Sequence, residues 1–135
     1  MKVDGACLCG NIKYEAEIDP DRVAICHCSD CQTNSGSAYG VVASITNGQF
    51  RLLTGALQEF EKTAESGRVR HLSFCPNCGT RIHACTKDDP SAFFGLRVGT
   101  IRQRAQLKPR LQVWCSSALP WVSDLSSIPR RDDQG

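Results

Sequence analysis

The chain has 135 residues, enough for one domain with an ordinary buried core. Its 16 basic and 14 acidic residues leave a formal net charge of +2, and this near balance argues against a nucleic-acid binder with a broad basic surface. No segment reaches the roughly 18 uninterrupted apolar residues of a membrane helix, and residues 1–5 lead into the first cysteines without the apolar stretch of a signal peptide. The sequence therefore predicts a cytoplasmic protein that binds neither nucleic acid nor membrane.

The first half of the chain alternates between polar and apolar residues in the manner of strands. Apolar side chains recur at every second position from Ile12 to Ile18, which predicts a half-buried strand. The predicted elements that follow are a break at 19–21 (Asp-Pro-Asp), an apolar run at 23–25, a short helix at 28–34, a strand at 39–45, a turn at 46–48 (Thr-Asn-Gly) and an apolar segment at 50–53.

The second half predicts more strands, separated by turn residues. They are expected at 57–63, 68–74, 80–85, 92–98 and 110–115, with a turn at 66–67. Short strands with turn residues every eight to twelve positions predict a mostly β domain, a sandwich or barrel-like antiparallel sheet with little helix. We expect residues 1–122 to form this domain and residues 123–135 to be a weakly ordered tail.

Nine cysteines are the most informative residues of the chain, and seven of them lie in three clusters. In a reducing compartment, cysteines at this density indicate metal binding or catalysis rather than disulfides, and an odd count cannot pair completely. The clustered cysteines are Cys7 and Cys9, then Cys26, Cys28 and Cys31, then Cys75 and Cys78.

The two outer pairs predict one closed, structural zinc site. Bonds of about 2.3 Å from zinc to sulfur place the sulfurs of a tetrahedral site roughly 3.8 Å apart. Cys75 and Cys78, followed by Gly79, can meet this spacing in a tight turn. Cys7 and Cys9 can supply the other two ligands, because side chains two positions apart on a strand point the same way. Chelation should then unfold the domain, since metal affinity becomes folding free energy.

Cys26, Cys28 and Cys31 predict a second zinc site, which we call the triad. Three protein ligands leave the fourth position to water, a substrate thiol or a distant residue. The residues considered as that distant ligand are His27, His71, His83, Cys85 and Cys115. His27 alternates with two ligands and is expected to point away from the metal. The histidines at 71 and 83 are expected to be ordinary strand residues, and the two single cysteines ordinary thiols.

The ligand set of the triad favours thiol chemistry over hydrolysis. Three thiolates make the zinc a weak Lewis acid, so a bound water is not readily ionised. A soft thiol suits the fourth position better, because zinc lowers its pKa and holds the thiolate for attack on an electrophile.

The cysteine motifs resemble those of a known family. Residues 5–15 (GACLCGNIKYE) resemble the opening of the glutathione-dependent formaldehyde-activating (GFA) family, also called the centromere protein V/GFA domain. Later stretches resemble its second and third motifs and its aromatic end: 26–32 (CHCSDCQ) with Ser-Gly at 35–36, 74–80 (FCPNCGT), and 111–114 (LQVW) with 119–121 (LPW). The matches run in order from about residue 5 to 121 and cover nearly the whole domain.

The resemblance implies an Mss4-like, mostly β fold with two zinc ions per chain. It places the structural zinc on Cys7, Cys9, Cys75 and Cys78, and the catalytic zinc on Cys26, Cys28 and Cys31. It further implies a carbon–sulfur lyase that, in reverse, condenses glutathione, the expected co-substrate, with formaldehyde to S-hydroxymethylglutathione. Four arginines are available for the glutathione carboxylates, and their spacing selects none: Arg68, Arg70, Arg81 and Arg97.

The alternative is a non-catalytic, zinc-stabilised binding module, because Mss4-like folds also serve in binding. The triad favours the enzyme, since a purely structural metal would have four protein ligands. We therefore expect an open position beside the triad, whereas a fourth protein ligand would favour the binding module. The sequence makes no prediction of oligomeric state.

Overall fold

Eight strands form one sheet in the computed structural model, which describes residues 1–134. The strands are β1 (Lys2–Ala6), β2 (Lys13–Cys26), β3 (Gly40–Thr54), β4 (Gln58–Thr63), β5 (Val69–Phe74), β6 (Arg81–Thr86), β7 (Phe94–Arg97) and β8 (Leu111–Val113). Seven strands pair in the order β1-β2-β3-β7-β6-β5-β4, each antiparallel to its neighbour. The remaining strand, β8, pairs with β2 in parallel.

Helical structure is sparse within residues 1–134. There is one α-helix, α1 (Ser29–Ser35), together with short 3-10 turns at Val98–Thr100, Arg104–Gln106 and Cys115–Ser117. The prediction of a mostly β domain with little helix is therefore confirmed. No helix in this part of the chain is long and apolar enough to cross a membrane.

The core lies against one face of the sheet and follows the two-residue period of the strands. In β2 the side chains of Tyr14, Ala16 and Ile18 are buried. Lys13, which precedes them, and Glu15, which lies between two of them, are exposed. Fully buried aliphatic side chains from β6 and β7 join this face. Each such side chain stabilises the fold by about 2 kcal/mol through removal of apolar surface from water.

The predicted turn at residues 46–48 is wrong, because these residues form a bulge inside the long strand β3. Ala16 pairs with Phe50 and Ile18 with Ile45, so four residues of β3 stand opposite one residue of β2. Asn47 and Gly48 take positive φ angles of 50° and 66°. This conformation accommodates the extra residues without reversing the chain.

The predicted break at residues 19–21 is also wrong, because β2 continues through them. The pairing passes from Ile18 opposite Ile45 to Val23 opposite Ala43, so the intervening residues bulge from the ladder. A bulge tolerates Pro20, since a residue outside the regular ladder does not need to donate a backbone hydrogen bond. The later strands and the helix lie within about two residues of their predicted positions.

Candidate metal centres

The four cysteines of the outer pairs meet in one cluster. Their sulfur atoms all lie within 4.8 Å of one another. The distance from Cys7 Sγ to Cys9 Sγ is 3.5 Å, and that from Cys9 Sγ to Cys75 Sγ is 3.8 Å. These values match the separation of roughly 3.8 Å between ligands of a tetrahedral zinc–sulfur site. The cluster could therefore hold a zinc ion with four protein ligands.

Cys7 and Cys9 lie in the turn between β1 and β2, so the strand geometry expected for them is wrong. The Gly10 N–H donates to the Cys7 carbonyl at 3.1 Å, and the Cys7 N–H donates to the Ile12 carbonyl at 3.0 Å. Gly10 has a φ of 79°. The cysteines converge because the chain curls around their sulfurs, which brings both thiols to the inside of one turn.

The turn between β5 and β6 repeats this pattern. The Gly79 N–H donates to the Cys75 carbonyl at 2.8 Å, and the Cys75 N–H donates to the Thr80 carbonyl at 2.9 Å. Gly79 has a φ of 77°, almost the value found at Gly10. In the described part of the chain, a Cβ at either glycine would meet no atom within 4 Å. Glycine is therefore favoured at both positions because the backbone is left-handed there, and not because a side chain would meet neighbouring atoms.

Hydrogen bonds to sulfur surround the cluster and favour thiolates. The Ile12 N–H donates to Cys7 Sγ at 3.1 Å, and the Asn77 side-chain amide donates to Cys9 Sγ at 3.2 Å. Thr80 Oγ1 accepts from the Leu8 N–H and lies 3.2 Å from Cys78 Sγ, so its hydroxyl proton is free to donate to that sulfur.

These contacts shift the pKa values of the cysteines in opposite directions. The hydrogen bond from Thr80 is the main cause that lowers the pKa of Cys78 to about 5. The bond from Asn77 is the main cause that lowers the pKa of Cys9. Burial raises the pKa of Cys7. The cluster thus has thiolate-stabilising contacts at its surface and a buried thiol next to the core.

The triad also assembles, at the junction of β2 and α1. The sulfur atoms of Cys26, Cys28 and Cys31 lie within 4.8 Å of one another, and all three residues are partly buried. Cys28 is the N-cap of α1, with φ −62° and ψ 153°, and its Sγ accepts the Cys31 N–H at 3.3 Å. The helix ends at Gly36, whose φ is 64°. The extended residue at the cap and the first helical turn bring the three sulfurs to one side.

Neighbouring elements hold the triad in place. Cys26 ends β2, where it pairs with Gly40 of β3 on one side and Val113 of β8 on the other. The Gln32 side-chain amide donates to the His27 carbonyl at 2.9 Å and to the carbonyl of residue 117 at 3.0 Å. These contacts fasten α1 to the C-terminal part of the chain.

The pKa values of Cys26 and Cys31 are shifted in opposite directions. A hydrogen bond with Cys31 is the main cause that lowers the pKa of Cys26. The same contact, together with burial, raises the pKa of Cys31, whereas the positive charge of Arg97 acts to lower it. A divalent cation held by the triad would offset the repulsion between its thiolates.

Within residues 1–134, no further histidine, cysteine, aspartate or glutamate joins the triad sulfurs. His27 is buried, and its Nε2 lies 2.7 Å from Gln112 Oε1. Cys115 is exposed in a 3-10 turn, and Cys85 lies on β6.

The other two histidines considered as a fourth ligand have different surroundings. His71 of β5 lies between two carboxylates, with Nδ1 3.3 Å from Glu59 and Nε2 3.2 Å from Glu61. His83 of β6 packs edge-on against Phe50 and Phe94, at ring-centroid distances of 4.8 and 4.9 Å. Both positions follow from ordinary strand packing.

Arg97 and Gly40 were not singled out by the spacing of the sequence, yet both lie at the triad. A Cβ at Gly40 would lie 2.9 Å from Arg97 Nη1 and 3.8 Å from Cys31 Sγ. They meet because β3 pairs with β7, so that Val42 stands opposite Arg97. No local pattern in the sequence predicts the pairing of β3 with β7.

A broad cavity lies elsewhere, over β1 and the adjoining parts of β2 and β3. It is an open depression of about 1190 Å³ whose lining includes Cys7, Leu8 and Thr80 but none of the triad. Its charged lining is of both signs, and Asp4 and Arg102 neutralise each other at 2.8 Å. Its size alone therefore identifies no chemistry, and the triad remains the better candidate site.

Comparison with known proteins supports one family. No curated protein matches the chain significantly. A crystal structure of a protein from Rhodobacter sphaeroides is similar, with a TM-score of 0.62 and 21% identity over 81% of this chain and 98% of that one. At this identity the likeness shows the fold alone. The model of the family described as glutathione-dependent formaldehyde-activating enzyme matches residues 2–117, a span that contains both cysteine clusters. The chain therefore belongs to the glutathione-dependent formaldehyde-activating enzyme family.

Proposed function

We propose that this protein is a zinc-dependent enzyme that adds the thiol of glutathione to a small aldehyde such as formaldehyde, giving S-hydroxymethylglutathione. The observation that carries the proposal is the triad, in which three cysteine sulfurs lie together without a fourth candidate ligand in residues 1–134. Membership of the family supports the reaction class. The reverse reaction is that of a carbon–sulfur lyase.

We assign a different role to each cluster. Cys7, Cys9, Cys75 and Cys78 would hold a structural zinc with no free position. Cys26, Cys28 and Cys31 would hold the catalytic zinc. Thiolates are soft ligands that suit zinc, and the sulfur separations fit its tetrahedral geometry.

A zinc ion held by the triad would supply one open coordination position and would lower the pKa of a thiol that enters it. In the reaction, a carbon–sulfur bond forms between the glutathione sulfur and the carbonyl carbon, and the thiol proton ends on the carbonyl oxygen. The residues of the chain keep the site in shape for this step. The Cys31 N–H fixes Cys28 Sγ, and Gln32 ties the helix to the loop before it.

The proposal is tested by measuring the reaction above its uncatalysed rate. Exchange between ¹³C-formaldehyde and its glutathione adduct can be followed by NMR with the zinc-loaded wild type, Cys28→Ser and Cys115→Ser. We expect the wild type and Cys115→Ser to accelerate exchange, and Cys28→Ser to give the uncatalysed rate while remaining folded. Cys115 is a suitable control because it is an exposed cysteine outside both clusters.

The opposite result would favour the binding module. A wild type that leaves the exchange rate unchanged would contradict the proposed reaction. If Cys28→Ser unfolds the domain, the triad has the structural role expected of the binding module.

A further inference from the structure

Arg97 places a positive charge beside the triad. The residue ends β7, and its Nη1 lies 2.9 Å from the point where a Cβ would stand on Gly40. Cys31 Sγ lies 3.8 Å from the same point. The guanidinium and the sulfur therefore border one small space, which exists because residue 40 has no side chain.

Two neighbouring elements position this arginine. The Thr100 hydroxyl donates to the Arg97 carbonyl at 2.8 Å and so fixes the backbone where the strand ends. The guanidinium Nη2 donates to Asn34 Oδ1 of α1 at 3.4 Å. Its partner on the helix is thus a neutral amide, and the contact is long, so within residues 1–134 the guanidinium keeps N–H groups for another acceptor.

The positive charge of Arg97 has no carboxylate partner in residues 1–134. Other arginines have carboxylate partners: Arg51 bonds Glu15 at 2.7 Å, and Arg102 bonds Asp4 at 2.8 Å. Arg97 takes part in no such pair and is partly buried. A partly buried cation without a carboxylate of its own is suited to bind an anion from outside the chain.

We propose that Arg97 is the specificity-determining residue of the triad site and binds the carboxylate of a thiol substrate. The inference rests on the proposed function and names the part of the substrate that the chain recognises. The planar guanidinium can donate two parallel N–H bonds to one carboxylate. The sulfur of the same molecule would then lie toward the triad, and a thiol without a carboxylate would leave Arg97 without an acceptor.

The test compares two thiols that differ in charge and little in shape. The dissociation constants of 3-mercaptopropionate and its neutral amide are measured by calorimetry on the zinc-loaded protein. We expect the wild type to bind the carboxylate about ten- to a hundredfold more tightly than the amide, the range typical of a hydrogen bond to a charged group. Arg97→Gln should lose this preference and keep its affinity for the amide.

Two further variants separate this role from a structural one. Arg70→Gln is the matched control, because Arg70 is a partly buried arginine on β5 that lies over the Phe93 ring, and the preference should be unchanged there. Gly40→Ala keeps the charge but places a methyl group against Nη1, and it should reduce the preference. This second variant tests the proposal even if Arg97→Gln does not fold.

Failure of the role of Arg97 and failure of the proposed function give different results. Equal affinities for the two thiols in the wild type, or a preference that survives Arg97→Gln, would overturn the role of Arg97 alone. Failure of the wild type to bind either thiol would overturn the proposed function as well.

Discussion

At the scale of single residues, burial of His83 makes folding stability depend on pH. The imidazole lies between two phenylalanine rings, and its Nδ1 has no hydrogen-bond partner among residues 1–134. Burial lowers its pKa from 6.5 to about 4. The unfolded chain therefore binds a proton between these values that the folded protein does not, and stability is lost as the pH falls.

We predict that His83→Leu makes the unfolding free energy less sensitive to acid. The contribution of His83 is fully present above pH 6.5 and falls by at most about 3 kcal/mol as the pH approaches 4. Denaturant unfolding of the zinc-loaded wild type and variant at several pH values between 7 and 4.5 measures the difference. Comparing the two proteins removes the acid sensitivity of the cysteine ligands, which both share. Identical pH profiles would show that the pKa of His83 does not change on folding.

The sequence predicts the cysteines of the triad but not the place of Arg97 beside them. The spacing of the seven clustered cysteines predicts both candidate metal sites, because each site draws on pairs or triplets of cysteines that are close together in the chain. Arg97 was one of several equivalent arginines in the sequence. Its place beside Cys31 depends on the pairing of β3 with β7, which no local pattern encodes.

At the scale of elements, the two cysteine turns share one design. In each turn the N–H of the final glycine donates to the carbonyl of the first cysteine, at 3.1 Å for Gly10 and 2.8 Å for Gly79. Both glycines have a positive φ, and a Cβ added to either would meet no atom of residues 1–134 within 4 Å. A side chain at either position would therefore be disfavoured by backbone strain and not by steric contact.

We predict that Gly79→Ala destabilises the zinc-loaded domain by about 1–2 kcal/mol, the cost of a left-handed conformation for a residue with a Cβ. Gly99→Ala is the matched control, because a Cβ there also meets no described atom of residues 1–134 within 4 Å and its φ is not in the left-handed region. The comparison requires denaturant unfolding of both variants. Equal unfolding free energies for the two would argue against strain at the turn.

Strands and the helix were largely predictable, and the bulges were not. The two-residue period predicts the buried face of β2, and α1 begins and ends within one residue of the helix predicted at 28–34. Asn47 and Gly48 carry the same local signal whether they reverse a chain or bulge from a strand. Only the pairing of Ile18 with Ile45 and of Ala16 with Phe50 decides between the two.

At the scale of the whole molecule, the closed cluster joins distant parts of the chain. Cys9 and Cys75, whose sulfurs are 3.8 Å apart, are separated by 66 residues. Cys7 and Cys75 also belong to the core cluster. A metal at this position would therefore link the β1–β2 turn to the β5–β6 turn and stabilise the fold in the way a cross-link does.

Removal of zinc should accordingly unfold the domain. We predict that a strong chelator, added under reducing conditions, abolishes the cooperative thermal transition of the wild type, and that added zinc restores it. Circular dichroism in the near ultraviolet follows the change in tertiary structure. A transition that persists after both metals are removed would mean that the core alone holds the fold.

The central claim is the division of labour between the two clusters, and metal stoichiometry tests it most directly. Native mass spectrometry of the wild type, Cys28→Ser and Cys78→Ser gives the number of zinc ions per chain together with the charge-state signature of folding. We predict two zinc ions for the wild type, one zinc ion with a folded signature for Cys28→Ser, and an unfolded signature for Cys78→Ser. An unfolded Cys28→Ser, or a Cys78→Ser that remains folded, would contradict the claim.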